Sequence, residues 1–142
     1  MEHKDYSISQ HFTRSELECP CCHSLLVDGR LVSLLEEIRG IFNTPIYVNS
    51  CFRCEKHNEE VGGVKQTETE SGSAHLYGRA ADIRQDKISN KRFHDEILMR
   101  YIAARNNKTN ELELLGGLGE YDNFIHVDVV RAADNHLRRW KK

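Results

Sequence analysis

Several things are absent from this chain, and each absence closes a class of function. No apolar stretch approaches the roughly 20 residues that a membrane-spanning helix needs. Neither sign of charge dominates: 20 Lys and Arg stand against 22 Asp and Glu, for a formal net charge of −2. No basic, aromatic-rich stripe offers itself to nucleic acid or to an anionic membrane. Only Arg138-Arg139-Trp140-Lys141-Lys142 is locally basic, and it reads as a solvated helix end or tail. No apolar h-region follows Met1-Glu2-His3-Lys4-Asp5, so no signal peptide is expected and synthesis in the cytoplasm is. There is no internal repeat and no low-complexity segment. The five cysteines are an odd number, which in a chain without an export signal argues against a disulfide framework.

What is present is an ordinary globular composition, 39% hydrophobic and 30% charged over 142 residues. That length suits a single domain spanning 1–142. Thr13-Arg14-Ser15-Glu16 has the spacing of a capping box and predicts a short helix. Asp28 suits the N-cap of a longer one, whose apolar stripe is Leu31, Leu34, Leu35, Ile38, Ile41 and Phe42, ending at Asn43-Thr44-Pro45. Ile46-Tyr47-Val48 reads as a short strand. Residues 54–61 are helix-compatible and stop at Gly62-Gly63. Residues 65–74 form a polar loop. Ala80–Ile83 suits a short strand. A third helix is capped by Ser89 or Asn90, faces the core with Phe93, Ile97, Tyr101 and Ile102, and ends at Asn106-Asn107-Lys108. Gly116-Gly117-Leu118-Gly119 reads as a tight turn, and 124–130 as a strong strand. The order implies an α+β fold, a small mainly antiparallel sheet flanked by helices.

Two segments carry candidate chemistry. In 124–130 the period of two sends Ile125, Val127 and Val129 to the core. Phe124, His126 and Asp128 then share the other face. His and Asp together there suggest a site, although a surface His beside a carboxylate has the same pattern. In Ser73–Ile83, His75 and Asp82 stand seven apart. On a helix they would lie two turns apart, too far to share a metal, but a turn at Gly78 would let them converge. Two imidazoles and one carboxylate, with a position left for water, is the donor set of catalytic zinc.

The strings Asn49-Ser50-Cys51-Phe52-Arg53, His57-Asn58, Val61-Gly62-Gly63, Ser73-x-His75-x-x-Gly78-x-Ala80-x-Asp82 and Phe124-Ile125-His126-Val127-Asp128 resemble the zinc D-Ala-D-Ala peptidase family. The likeness runs from Ser9-Gln10-His11-Phe12 to Arg131, and is strongest to the branch of D-Ala-D-Ala carboxypeptidases and phage endolysins. It implies a hedgehog/DD-peptidase-like fold, with zinc held by His75, Asp82 and His126. It implies that Arg53 stabilises the oxyanion and that Ser73 helps bind substrate beside the metal. The chain departs from the family at Cys51, where relatives usually have Gly, and in the loop 65–72, which is longer. The base is not where relatives carry it: Asn123 and Tyr121 occupy those positions. Asp128 is left either as the base or as a group orienting a ligand or Arg53, with Glu120 and Asp122 also near.

The cysteines form two CxxC pairs, Cys19 with Cys22 and Cys51 with Cys54, with 28 residues between Cys22 and Cys51. A second, structural zinc on these four is one reading; reduced thiols or a redox pair is another. The expected activity is zinc-dependent hydrolysis of peptide bonds in peptidoglycan stem or cross-link peptides, by a monomer without nucleic-acid or membrane partners. The absence of a signal peptide favours a phage-type protein released to the wall. A zinc-containing wall-binding module without catalysis, and a cysteine-based adaptor, are the alternatives.

Overall fold

The computed structural model describes residues 5–68, 70–107 and 111–142. Met1-Glu2-His3-Lys4, Thr69 of the polar loop and Lys108 at the expected end of the third helix lie outside them. Thr13 begins a one-turn helix, α1 (Arg14–Leu17), where the Glu16 carboxylate takes the Thr13 N–H at 2.7 Å. Helix α2 (Gly29–Phe42) starts on Asp28, whose side chain accepts the Arg30 N–H. It ends with Asn43 in the left-handed region, φ 47, just before Pro45. Its stripe Leu31, Leu34, Leu35, Ile38 and Phe42 is buried. Each such side chain contributes roughly 1.5–3 kcal/mol on leaving water.

Strand β1 (Tyr47–Ser50) leads to α3 (Glu55–Glu60), and a 3₁₀ turn at Ala74–Tyr77 leads into β2 (Ala80–Arg84). Ser89 caps α4 (Asn90–Asn107), taking the Arg92 N–H on its hydroxyl at 3.1 Å. Phe93, Ile97, Tyr101 and Ala104 are its buried face, while Ile102 is 51% exposed and belongs to the solvent side. Asn90 instead donates to the carbonyls of Tyr121 and Phe124, tying the helix to the turn that follows the third strand.

That third strand is β3 (Gly117–Glu120), in the segment expected to be a tight turn. The glycines are spaced for a strand with one bare face, and Leu118 between them is buried in the core. Strand β4 is Ile125–Asp128, and β5 is Arg138–Lys141. The latter corrects the expectation of a solvated tail. The sheet order is β1-β2-β4-β3-β5, antiparallel except for the β3–β5 pair. This is the expected α+β class, a five-stranded, mostly antiparallel open sheet with four helices. Helices α2 and α4 cover its apolar face, where Ile83, Ile125, Val127 and Leu118 meet Leu35, Ile38, Phe93 and Ile97 in one cluster. No helix among the described residues is long and apolar enough to cross a membrane.

Candidate metal centre and cleft

The opposite face of the sheet carries the polar residues. Register places Asp82 beside His126, His126 beside Gly119, and Gly119 beside Trp140. One residue pair away, Ala80, Asp128, Gly117 and Arg138 form a second row. The glycines leave gaps that longer side chains cross. Trp140 reaches over Gly119 to lie 4.9 Å from the His126 ring, centroid to centroid, and Arg138 reaches over Gly117 to pair with Asp128. A Cβ at 119 would sit 2.5 Å from the Trp140 ring, and one at 117 would be 2.6 Å from Arg138 Nη2 and closer still to Asp128.

His75 arrives from outside the sheet. The 3₁₀ turn Ala74–Tyr77 is capped by Ser73, whose hydroxyl accepts the His75 N–H at 3.2 Å, and closes at Gly78 with φ 63. No side chain fits at 78, because a Cβ there would strike the Leu26 carbonyl. This turn lets residues seven apart converge. His75 Nε2 is 3.4 Å and His126 Nδ1 3.1 Å from Asp82 Oδ1. One donor atom from each of the three lies within 4.8 Å of the others.

The remaining polar atoms of these side chains are already committed. His75 Nδ1 lies 2.7 Å from the Cys51 carbonyl, which can only accept, so Nδ1 carries the proton and Nε2 keeps its lone pair. His126 Nε2 donates to Asp128 Oδ2 at 2.7 Å, which leaves Nδ1 pointing inward. Asp82 Oδ2 accepts Arg53 Nη2 at 3.1 Å, leaving Oδ1. Tetrahedral zinc with bonds of about 2.0–2.1 Å sets its donor atoms about 3.3–3.4 Å apart, so the set fits zinc in both chemistry and spacing.

The electrostatics follow from the packing. Burial acts to raise the Asp82 carboxyl, but hydrogen bonds and charge from His126 and His75 outweigh it and hold it below its usual range. Burial acts to lower His126, and Asp128 and Asp82 outweigh that and raise it above 6.5. Asp128 is opposed by burial and lowered by His126 and Arg138. It is only 1% exposed, with both oxygens engaged by His126, Arg138 and the Val130 N–H.

Arg53 is held by Ser50 Oγ at 2.9 Å and by Asp82, and its own N–H donates to the His75 carbonyl. It lines an open cleft of about 830 Å³ together with Ser73, the three donors, Tyr121, Phe124 and Trp140. Among the described lining residues the carboxylates are Asp82, Asp128 and Glu70. Asp122 is exposed and Glu120 turns to His94, 3.6 Å away, so neither lines the cleft. Sequence reasoning missed Arg138, Trp140 and Glu70. For the first two, the basic run Arg138–Lys141 carried no apolar alternation that would have marked a strand.

The cysteines divide differently from the two CxxC pairs. The sulfurs of Cys19, Cys22 and Cys54 lie within 4.8 Å of one another. Cys51 is 2% exposed in the hydrophobic core, where burial pushes its thiol up to about 12. A site on all four is therefore replaced by a cluster of three. No curated protein and no solved structure shows a match to this chain. The family model described as Peptidase M15 matches residues 10–128, and the chain belongs to that family of zinc D-Ala-D-Ala peptidases.

Proposed function

We propose that this peptidase is a zinc enzyme that hydrolyses peptide bonds in bacterial peptidoglycan, at stem or cross-link peptides carrying D-residues. The observation that carries the reading is the convergence of His75 Nε2, Asp82 Oδ1 and His126 Nδ1 on the floor of the cleft. Zinc bound there supplies the Lewis acidity that polarises a scissile carbonyl and activates water. Arg53 sets a fixed, half-buried cation beside that point, where negative charge develops on the carbonyl oxygen. Ser73 lines the cleft next to His75 and is available to hold substrate.

Asp128 acts by orientation: it fixes the tautomer and the ring plane of His126 from behind, and burial withdraws it from proton transfer with substrate. The proton-accepting role falls to Glu70, the other carboxylate on the cleft wall. The open cleft of about 830 Å³ has room for a peptide segment, and the basic residues Lys141 and Lys142 in its lining suit an acidic stem. Release to the wall by a phage-type route, and a monomeric state, complete the reading.

The test joins metal content to activity. Wild type and folded His126→Ala are compared for zinc, and both are incubated with purified sacculi, with and without chelator. Loss of one zinc, and loss of released amino groups or D-Ala, support the reading. Equal zinc in the two proteins overturns the metal site. Wild-type wall binding with intact zinc and no turnover would favour the binding module, which the buried state of Asp128 keeps in view.

A further inference from the structure

We infer that Cys19, Cys22 and Cys54 hold a second zinc ion, structural in role, with His57 as the fourth ligand. The Cys19 and Cys54 sulfurs are 3.6 Å apart. A disulfide holds its sulfurs at about 2.05 Å, whereas zinc–sulfur bonds of about 2.3 Å in a tetrahedron set them about 3.8 Å apart. The observed separation is close to that edge.

The backbone around the sulfurs is arranged for thiolates. The Cys54 N–H points at Cys19 Sγ at 3.5 Å, and the His57 N–H at Cys54 Sγ at 3.4 Å. Amides of Cys21 and Cys22 also face Cys19 Sγ. The turn that brings Cys22 round is tight: the Cys19 N–H donates to the Ser24 carbonyl, and the His23 N–H donates to the Cys19 carbonyl. It is closed by His23 at φ 60, a left-handed position that a non-glycine residue adopts at a cost. A bound ion gives that strain a counterpart.

His57 completes the set by helix geometry. Cys54 is the N-cap of α3 and His57 its third helical residue. In that relation a side chain reaches back to the cap, as the glutamate of a capping box does. Its ring now faces Glu60, with Nδ1 3.9 Å from Oε2, so service as the fourth ligand requires it to swing from there toward the sulfurs. Each thiol gives up its proton to solvent on binding.

The consequence reaches the cleft. Cys54 follows Arg53, while Cys19 and Cys22 both follow α1, whose Leu17 carbonyl takes the Phe52 N–H. The ion would clamp the N-terminal segment to the one residue that follows the catalytic cation. This rests on different residues from the centre at His126, so each can fail alone.

Full-length protein is loaded with zinc or with cobalt(II). Expected are two zinc ions per wild-type chain, one in Cys22→Ser, and one in His126→Ala. The cobalt form should show thiolate-to-metal charge transfer in the near ultraviolet, kept in His126→Ala and lost in Cys22→Ser. His57→Ala should weaken zinc binding at this site at least tenfold. Two outcomes overturn the inference: a wild-type cobalt form without the thiolate band, or rapid reaction of Cys19, Cys22 and Cys54 with a thiol reagent in zinc-loaded protein. Both are read on wild type, so a misfolded variant leaves the test intact. Two zinc ions in His126→Ala, with the thiolate band present, would count against the catalytic centre and not against this one.

Discussion

Gly117→Ala adds one methyl group that meets none of the three candidate zinc ligands but strikes Asp128, which supports one of them. Its Cβ would overlap Asp128 Oδ2 and lie 2.6 Å from Arg138 Nη2. Asp128 is the end of a side chain, which normally moves cheaply, but here it is 1% exposed and bonded on both oxygens. Displacing it breaks a hydrogen bond to a charged group, worth about 1.5–3 kcal/mol. Removing glycine from a strand returns roughly 0.5–1 kcal/mol. The net is a loss of about 1–2 kcal/mol, which lowers Tm by about 2–8 °C for a chain of this size. With its orienting carboxylate displaced, His126 should bind zinc about 10–100-fold more weakly. The assay is thermal unfolding with competitive zinc titration, run beside Gly40→Ala. That site, in the last turn of α2, has nothing within 4 Å of the added Cβ, so the same substitution there should stabilise by up to roughly 0.5–1 kcal/mol. If Gly117→Ala keeps full zinc affinity and gains stability as Gly40→Ala does, the role given to Asp128 is wrong.

Arg53→Lys keeps a charge but loses the fork that spans Ser50 and Asp82; kcat should fall about 10²–10³-fold with zinc content unchanged, and an unchanged kcat removes Arg53 from the oxyanion role. Glu70→Gln should lower kcat about 10²-fold or more, with fold and zinc intact, and full activity would send the search for the base elsewhere. In the metal-free protein His126 titrates above 6.5. Because its folded value is raised, protonated His126 stabilises the metal-free fold at pH below 6.5, and that contribution disappears as pH rises through the folded value. Zinc must displace the same proton, so zinc affinity should climb with pH, by up to about tenfold per unit below the folded value, and level off past it. Affinity that is flat from pH 6 to 8, by calorimetry in buffers of differing ionisation heat, would show that His126 is not a ligand.

The helices and the last core strand were legible because their signals are local. Leu31 to Phe42 repeat with helical period beside an Asp cap, and Ile125, Val127 and Val129 alternate. The alternation of 124–130 sets His126 on the polar face, and the Gly78 turn lets His75 and Asp82 converge, but it is the family resemblance that joins the three as ligands. The glycine segment 116–119 misled because glycine is read as a breaker wherever backbone freedom explains it. At 117 and 119 the reason for glycine is absence of volume, and what fills that volume comes from β5, some 20 residues later. A parallel edge strand of Arg, Arg, Trp and Lys has no apolar alternation of its own to announce it.

The same non-local logic explains why Asp128 was ambiguous. Two residues after a ligand on the same strand face, a carboxylate can serve as base or as support, and the spacing is identical for both. The decision lies with Arg138, a residue of another strand that covers the carboxylate and holds it against His126. Glycine at 117 makes room for that cover. The sheet therefore builds its candidate metal centre in rows: proposed ligand, gap, and a long side chain bridging the gap from the edge strand. The edge strand belongs to the site as much as the central one does. Truncation after Arg131 would keep all three donors, yet remove Arg138 and Trp140 from the His126 surroundings. On this argument such a chain loses its hold on zinc while its ligands remain in place.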